Sequence, residues 1–412
     1  MRISDLLSIL DREMVPAVGC TEPAAIALTC SAAMKPVKGK LLTLELTMSI
    51  NIFKNARAAG IPGCPDTGIE LAAALGATIA RPEANLEILS FVTDDTIKTA
   101  KSLLETAEFK INVDLNRNDM YVRCRVVTNV GEAVAETSGR HQNVQLISLN
   151  GKEVPRSSEH SGNGHPLLRE KTSFHELVRT VMDAPYGTFD FLIPRAGMNL
   201  DIADSGIKMM QGLGIGRAHR NTAYESYAIY TAAACDARMS GIQKPVCTCA
   251  GSGNLGISAT VPVLAAGRAE SASQDVIARS LALSLAVTIY VKEYFGLLSP
   301  VCGCAVAAGA GSAAGLTILR EGDISAVENA ASAVLATLTG MLCDGGKVGC
   351  ALKVWTAVST AEESAYLALK GVSIPSGNGI VGPTIDDTLA ALERVAKEGL
   401  SHLDRVLVDA IG

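Results

Sequence analysis

The sequence predicts an α+β protein: a mainly helical domain with an inserted, smaller α+β sheet lobe. Apolar and polar residues alternate in several stretches between residues 42 and 126, which is the period of half-buried strands. After Thr172 the alternation fades, and Ala- and Leu-rich helical sequence continues, interrupted by glycine-rich turns. The length of 412 residues also exceeds the size at which one core usually stops growing, so we expect two lobes.

Each element follows from a local pattern. Residues 3–34 predict two helices separated by a break at 15–19, and residues 94–108 have the pattern of another helix. Strict alternation predicts strands at 42–50, 109–115 and 122–126. The predicted divisions are N-terminal helices at 1–36 that pack on the helical domain, an α+β lobe at 37–149, a polar linker at 150–170, and an Ala- and Gly-rich helical domain at 171–412.

Composition excludes several classes of protein. The net charge of −6 and the lack of any basic run argue against nucleic-acid and anionic-membrane partners. Charged residues at 5 and 11–13 interrupt the opening segment, so we predict no secretory signal, a cytoplasmic location and eleven reduced cysteines. Residues 294–319 are uncharged and long enough to span a bilayer, but their five glycines and the Ser299-Pro300 turn favour a buried helix.

The first candidate for chemistry is a cysteine at a helix start. In Gly19-Cys20-Thr21-Glu22-Pro23, Thr21 is a good N-cap and Pro23 suits a first turn, so Cys20 should lie just before the helix. Free backbone N–H groups there favour a thiolate and should lower the pKa of Cys20. Such a thiolate can act as a base, a nucleophile or a metal ligand. The alternative is a small turn residue without a chemical role.

The second candidate is the set Cys302, Cys304, Cys343 and Cys350. Six residues, three of them glycines, separate Cys343 from Cys350, so a tight loop can direct both sulfurs at one ion, and Cys302 or Cys304 would supply a third. When three thiolates hold an iron-sulfur cluster, one iron has no protein ligand and is free to act as a Lewis acid. Structural zinc usually takes four ligands in short C-x-x-C pairs, which this set lacks. Buried apolar cysteines remain an equal alternative.

The third candidate is the turn Gly251-Ser252-Gly253-Asn254. At a helix start its N–H groups would suit a carboxylate or phosphate, although helix-breaking glycines are the simpler interpretation. It lacks the context of a dinucleotide fingerprint and the ending of a P-loop. His141 follows a turn and is expected at the lip of a cleft between the lobes.

Five stretches together resemble a known family. They are GCTEPAAIAL, Asn51 to Asn55, Ala234 to Met239, Ala250 to Asn254, and MLCDGGKVGCALKV. From about residue 10 to 382 the chain is similar to the L-cysteine desulfidase group of the serine dehydratase α-chain superfamily. The resemblance implies a lyase of amino-acid catabolism that uses an oxygen-sensitive 4Fe-4S cluster instead of pyridoxal phosphate.

The resemblance also implies residue roles. Position by position, Cys302, Cys343 and Cys350 match the cluster ligands, and Cys20 matches the catalytic base. The Leu-Ser pair shortly before Cys302 favours it over Cys304 as the third ligand. Residues expected to contact the substrate are Asn55, His141, Asn143, Arg238 and Asn254.

The expected reaction is α,β-elimination, which converts L-cysteine to pyruvate, ammonia and sulfide. One alternative is L-serine dehydration by the same apparatus, which the sequence does not separate because the substrates differ by one atom. Another is an iron-sulfur redox sensor or sulfur carrier without turnover. The expected partner is a small amino-acid substrate, and a homodimer is a candidate assembly.

Overall fold

The structure, a computed structural model, describes residues 1–155, 167–219 and 226–411. It confirms the α+β fold class. The helices are α1 Ile3–Glu13, α2 Thr21–Met34, α3 Ile50–Ala56, α4 Ile69–Ile79, α5 Asp94–Thr106, α6 Leu168–Lys171, α7 Phe174–Met182, α8 Leu192–Lys208, α9 Ile215–His219, α10 Tyr227–Met239, α11 Gly253–Ala269, α12 Gln274–Phe295, α13 Gly303–Leu319, α14 Ile324–Leu338, α15 Cys350–Leu369, α16 Ile385–Arg394 and α17 Leu403–Ile411. The strands are β1 Pro16–Val18, β2 Leu41–Ser49, β3 Glu108–Asp114, β4 Tyr121–Thr128, β5 Glu132–Ser138, β6 Val144–Leu149, β7 Lys152–Glu153 and β8 Pro245–Cys247. A 3₁₀ segment at Pro82–Phe91 and a π turn at Val395–Gly399 complete the elements.

One part of the molecule is a six-stranded mixed sheet with the order β3-β2-β4-β5-β6-β7. Strands β2 and β3 are parallel, because α4 and α5 return the chain between them, and the other neighbours are antiparallel. The predicted strands correspond to β2, β3 and β4. Alternation located them because Leu44, Leu46 and Met48 of β2 point into a core while the residues between them are partly exposed.

Helix α2 packs on this sheet, which corrects the prediction that both N-terminal helices pack on the helical part. It is buried on every side, as expected of an Ala-rich helix with no polar face. A Cβ on Gly76 of α4 would lie 2.2 Å from the carbonyl oxygen of Ala27, so glycine is needed where α4 crosses α2. Helix α1 instead uses the apolar stripe Leu6, Ile9 and Leu10 to pack in the helical core.

The helical part is built around α13, which packs against α11, α12, α14 and α15. Small residues permit the close approach, since a Cβ on Gly311 would lie 2.1 Å from Thr288 Oγ1. Within the described ranges, α12 is the one helix long and apolar enough to cross a membrane, and 78% of its apolar window is buried. Core helices pass the same test, and α12 is packed as one.

The sheet and the helical part meet at several places near the candidate residues. Strand β1 pairs with β8 in an antiparallel arrangement, and α17 packs on α3. Backbone contacts also join α3 to the loop that precedes α15. Of the linker predicted at 150–170, residues 156–166 lie outside the described residues.

Candidate active site

Cys20 and Glu22 lie in contact at the start of α2. The chain turns from β1 through Gly19, whose φ is +75°, and Cys20 itself is the N-cap, one residue before the predicted cap at Thr21. The Cys20 thiol donates a hydrogen bond to Glu22 Oε2 at 3.1 Å, and the Thr21 hydroxyl donates to the same oxygen at 3.0 Å. All three residues are buried. The helix start therefore holds a thiol and a carboxylate as a pair.

The surroundings of this pair oppose a thiolate in the ligand-free protein. Burial, followed by the charge of Glu22, raises the pKa of Cys20 well above its ordinary value, although Arg238 acts in the opposite direction. Burial also opposes ionisation of Glu22, but His141 and the Cys20 thiol hold the pKa of that carboxyl below its ordinary range. The prediction of a lowered Cys20 pKa is wrong here, because loss of water and a nearby carboxylate outweigh the helix N-terminus.

Arg238, near the end of α10, presents a buried guanidinium whose hydrogen bonds are incomplete. Its Nη1 donates to Asn254 Oδ1 at 2.9 Å, whereas Nε and Nη2 have no partner among the described residues. The residue is 2% exposed and forms no ion pair in that part of the chain. A Cβ on Gly253 would lie 2.5 Å from Nε, so the glycine makes room for the guanidinium beneath the start of α11. Two adjacent donors remain for an anion.

His141 and Asn55 add further unsatisfied groups to the same site. Neither ring nitrogen of the buried His141 has a hydrogen-bond partner within the described ranges, and its Nε2 lies 3.8 Å from Glu22 Oε1. Asn55 Nδ2 donates to Glu22 Oε1 at 3.0 Å, but its Oδ1 is buried without a partner in the same ranges. Such groups cost about 1–3 kcal/mol each when nothing satisfies them. Their concentration here indicates a ligand site.

The predicted substrate residues are thus only partly brought together. Asn55, His141, Arg238 and Asn254 surround the Cys20–Glu22 pair. Asn143 has a different use: its Nδ2 donates to Ser138 O at 3.0 Å and stabilises the turn that carries His141. His141 lies within that turn, three residues before β6 begins.

Two chain segments bring Cys302 and Cys343 together. The backbone N–H of Cys302 donates to Met341 O, and that of Cys343 donates to Pro300 O, each at 2.8 Å. Cys302 is the N-cap of α13, and Cys304 lies in the first turn of the same helix. The neighbouring Cys304 thiol lowers the pKa of Cys302, against the effect of burial. The two segments therefore place three cysteines at the beginning of α13.

The loop from Cys343 to Cys350 is seated against α3. Gly346 N–H donates to Asn55 O at 3.2 Å, and a Cβ on Gly345 would lie 2.3 Å from Lys54 O. A Cβ on Gly346 would lie 3.2 Å from Cys20 Sγ, so the loop also borders the start of α2. The glycines predicted to make a tight loop are needed for this approach.

Cys350 and the buried Cys235 complete a group of thiols whose charges act on one another. Among the described residues, no three Cys, His, Asp or Glu side chains are close enough to bind a single metal ion. An iron-sulfur cluster does not require the sulfurs to be so close, because each thiolate binds a different iron atom. The donor set of Cys302, Cys343 and Cys350 fits such a group in chemistry.

Buried cations beside the thiols also fit an anionic cluster. Burial raises the pKa of Cys343, and the ammonium of Lys54 opposes that change. Lys292 on α12 is 7% exposed, and thiols at 302, 304 and 343 act on it. Burial lowers the pKa of Lys292, and these thiols oppose the change. Lys54 is paired with Asp404 of α17 at 2.5 Å.

Sequence reasoning missed four of these residues: Glu22, Lys54, Lys292 and Asp404. Glu22 lies inside the CTEP motif, and Lys54 lies inside the Asn51 to Asn55 stretch that resembles the family. A charged side chain within such a stretch could have been predicted to belong to the site. Lys292 is likewise a cation within an apolar helix. Nothing in the local sequence connects Asp404 to the site.

A pocket of about 300 Å³ opens between the sheet and the helical part. His141 and Gly251 line it from the side of the candidate site, and Lys292 lines it from α12. Arg140 and Glu13, which form an ion pair at 2.7 Å, line another part of it. Its volume is at the lower end of the roughly 300–1,000 Å³ range of small-molecule pockets. Of the unsatisfied groups among the described residues, His141 is the one that lines this pocket.

The chain is similar to one protein family over most of its length and to a group of bacterial proteins over nearly its whole length. Residues 83–409 match the family described as serine dehydratase alpha chain. The chain is 34% identical to a UPF0597 protein of Clostridium tetani, over 98% of this chain and 97% of the relative. It is 34% identical to a UPF0597 protein of Alkaliphilus oremlandii, with 98% and 96% covered, and 35% identical to one of Desulfatibacillum aliphaticivorans, with 98% and 97% covered. Since the family match spans most of the sequence, this chain belongs to the serine dehydratase alpha-chain family.

Proposed function

We propose that the protein is a cytoplasmic lyase that carries out α,β-elimination on a small L-amino acid, with L-cysteine converted to pyruvate, ammonia and sulfide. The observation that carries the proposal is the unpaired edge of Arg238: Nε and Nη2 are buried without partners in the described residues. A buried cation without a counter-charge is costly, and adjacent guanidinium nitrogens bind a carboxylate through two parallel hydrogen bonds. The substrate's α-carboxylate supplies that counter-charge.

The other groups of the site match the rest of an amino acid. Asn55 Oδ1 is an unused acceptor for the α-ammonium, while Glu22 orients Asn55 through its own hydrogen bond. The Cys20 thiol borders the same space and is the group that accepts the α-proton. With the carboxylate fixed at Arg238 and the ammonium at Asn55, the Cα–H bond is directed by two contacts rather than one.

Cys20 must lose its own proton before it can act as a base, and the Glu22 carboxylate in contact with it opposes that loss, because its pKa lies far below that of the thiol. Arg238 favours the thiolate in the ligand-free site, and the α-ammonium of a bound substrate acts in the same direction. His141, whose ring nitrogens make no hydrogen bond within the described ranges and whose Nε2 lies 3.8 Å from Glu22 Oε1, is the nearby group that can take up a proton. General-base transfer contributes roughly 10²–10⁴ in rate.

We further propose that Cys302, Cys343 and Cys350 hold a 4Fe-4S cluster. When bound, the cluster supplies Lewis-acid polarisation that acidifies the α-proton and assists departure of the β-substituent. Cys304 and Cys235 lie beside these ligands, and the resemblance of the segment before Cys302 favours Cys302 over Cys304 as the third ligand. Family membership supports this assignment over pyridoxal phosphate.

L-Serine dehydration is the closest alternative, since the family name refers to that substrate and the same groups serve both reactions. A redox sensor or sulfur carrier is the alternative from another class. A sensor has no need for a buried guanidinium with an unused edge or for the unsatisfied Asn55 and His141. These groups favour an enzyme over a sensor.

The proposal is tested by anaerobic reconstitution with iron and sulfide, followed by assays of pyruvate and sulfide from L-cysteine and of pyruvate from L-serine. We expect Cys20→Ala to retain the cluster absorption and lose turnover, and Cys343→Ala to lose both. Cys64→Ala, a buried thiol in the sheet-side core, is the matched control and should retain both. A preference for serine would assign the protein to the dehydratases. A fully loaded cluster inert towards both amino acids would support the sensor, and turnover by Cys20→Ala would remove Cys20 as the base.

A further inference from the structure

Lys292 is a buried cation that the proposed mechanism leaves without a task. It lies near the end of α12, where buried apolar residues precede it and Glu293 follows it, and it is itself 7% exposed. Gly303 lies between Cys302 and Cys304 at the start of α13, and a Cβ on it would lie 3.3 Å from Nζ of Lys292. The ammonium therefore contacts the start of α13. Lys292 also lines the 300 Å³ pocket together with His141 and Gly251. It therefore borders both the thiols and the pocket.

The ammonium of Lys292 has no acidic partner within ion-pair distance in the part of the chain that the structure describes. The two acids that line the same pocket are already engaged. Glu13 pairs with Arg12 and Arg140, and Glu293 accepts hydrogen bonds from the backbone N–H groups of residues 168 and 169. By contrast, Lys54, another buried cation beside the thiols, is neutralised by Asp404. Lys292 is thus available to an anion that enters from the pocket or forms beside the thiols.

We propose that Lys292 is a further catalytic residue, which stabilises the anion that leaves from Cβ of the substrate. This inference rests on the proposed elimination. The α-proton passes to Cys20, its electron pair forms the Cα=Cβ bond, and the Cβ–X bond breaks with its pair on X. The products are aminoacrylate and X⁻, and the Lys292 ammonium donates a hydrogen bond to X⁻ as it leaves into the pocket. Donors placed where charge develops accelerate a reaction more than donors to the ground state.

The role makes the effect of Lys292 depend on the leaving group. Hydroxide from serine is strongly basic and gains most from a cationic donor, hydrosulfide from cysteine gains less, and chloride from β-chloro-L-alanine gains least. A lysine that only balances the charge of the thiols would change the three reactions equally. The two roles are therefore distinguishable by substrate alone.

The experiment compares pyruvate release from these three substrates by the anaerobically reconstituted wild type and Lys292→Met. We expect kcat/KM to fall roughly 10²–10³-fold for serine, the loss typical of removing one such donor. The loss should be smaller for cysteine and smallest for β-chloro-L-alanine. Iron content, cluster absorption and thermal unfolding should match the wild type. Lys292→Arg, which keeps the charge, should restore part of the serine activity, and the exposed Lys397→Met is the control.

Equal losses for all three substrates, or a loss of bound iron with uniform inactivity, would overturn the role of Lys292. That result leaves the proposed function intact, because the wild type still turns over. A loaded wild type that releases pyruvate from none of the three would instead refute the proposed function itself.

Discussion

Two buried cations near the active site differ in one respect. Lys54 of α3 contacts Asp404 of α17, and both side chains are almost completely shielded from water. Arg238 of α10 is equally buried but has Asn254 as a neutral partner and two nitrogens without any in the described residues. Folding alone explains the first arrangement and does not explain the second. We take the difference to separate a group that stabilises the fold from one that, under the proposed function, binds the substrate.

The neighbouring cores support this distinction. On α2, Thr29 donates to Ala25 O at 2.7 Å and lies 2.7 Å from Thr137 Oγ1 on the sheet, so the hydroxyl is satisfied. About two turns earlier in the same helix, Glu22 lies beside Asn55 and His141, whose Oδ1 and ring nitrogens have no hydrogen-bond partners in the described ranges. One helix therefore serves a packed core along most of its length and a binding site at its N-terminus. The comparison predicts that substitutions will separate stability from activity.

The largest effect is expected at the paired cation. Asp404→Asn leaves Lys54 buried without a counter-charge and should lower the free energy of unfolding by about 3–5 kcal/mol. Denaturant unfolding measures the change, and the double variant Lys54→Met/Asp404→Leu should recover much of it. Glu398→Gln is the control, because its pair with Arg394 is exposed to solvent and should contribute little to the free energy of unfolding. If Asp404→Asn is no worse than this control, the Lys54 contact is not structural.

The next largest effect is expected at Arg238, the cation without a counter-charge, and it should be an effect on activity. Arg238→Met removes the guanidinium that is proposed to bind the substrate's carboxylate. It should lower kcat/KM by a factor corresponding to about 2–5 kcal/mol. The thermal unfolding temperature should not fall, because the arginine has no counter-charge to lose in the ligand-free protein. Steady-state assays and calorimetry on the same samples test both statements, with the exposed Arg268→Met as the control. A large loss of stability without loss of activity would reverse the assignment of the two cations.

The smallest effect is expected in the satisfied part of α2. Thr29→Val removes a buried hydroxyl that contacts Ala25 O and Thr137 and should lower the free energy of unfolding by about 1 kcal/mol. Turnover should be unchanged, because Thr29 is far along the helix from Cys20. Thr337→Val, at an exposed helical hydroxyl, is the matched control and should stay within about 0.5 kcal/mol of the wild type. A fall in activity at unchanged stability would show that the site extends along α2.

Features of the site that depend on neighbouring residues in the sequence could be predicted, and features that depend on distant residues could not. Cys20, Cys302, Cys343 and Cys350 were selected by short motifs, and the glycines of the last loop were expected to let it direct two sulfurs at one ion. The structure adds that Gly345 and Gly346 permit its close approach to α3, which the sequence did not indicate. The pKa of Cys20 was predicted in the wrong direction, because the helix start is visible in sequence while burial and the orientation of Glu22 are not. Asn143 was chosen from its place beside His141, yet its amide is used by the turn.

The sequence by itself determined the α+β class, the positions of β2, β3 and β4, and the motif residues to which we assign the proposed chemistry. These depend on periodicity and turn chemistry, which act over a few residues. Only the tertiary structure decided that α2 packs on the sheet, that Lys54 meets Asp404 across 350 residues of chain, and that Arg238 and Lys292 stay without acidic partners in the described residues. The physical reason is that pairing and desolvation depend on which distant groups share a buried space, and no local pattern records that.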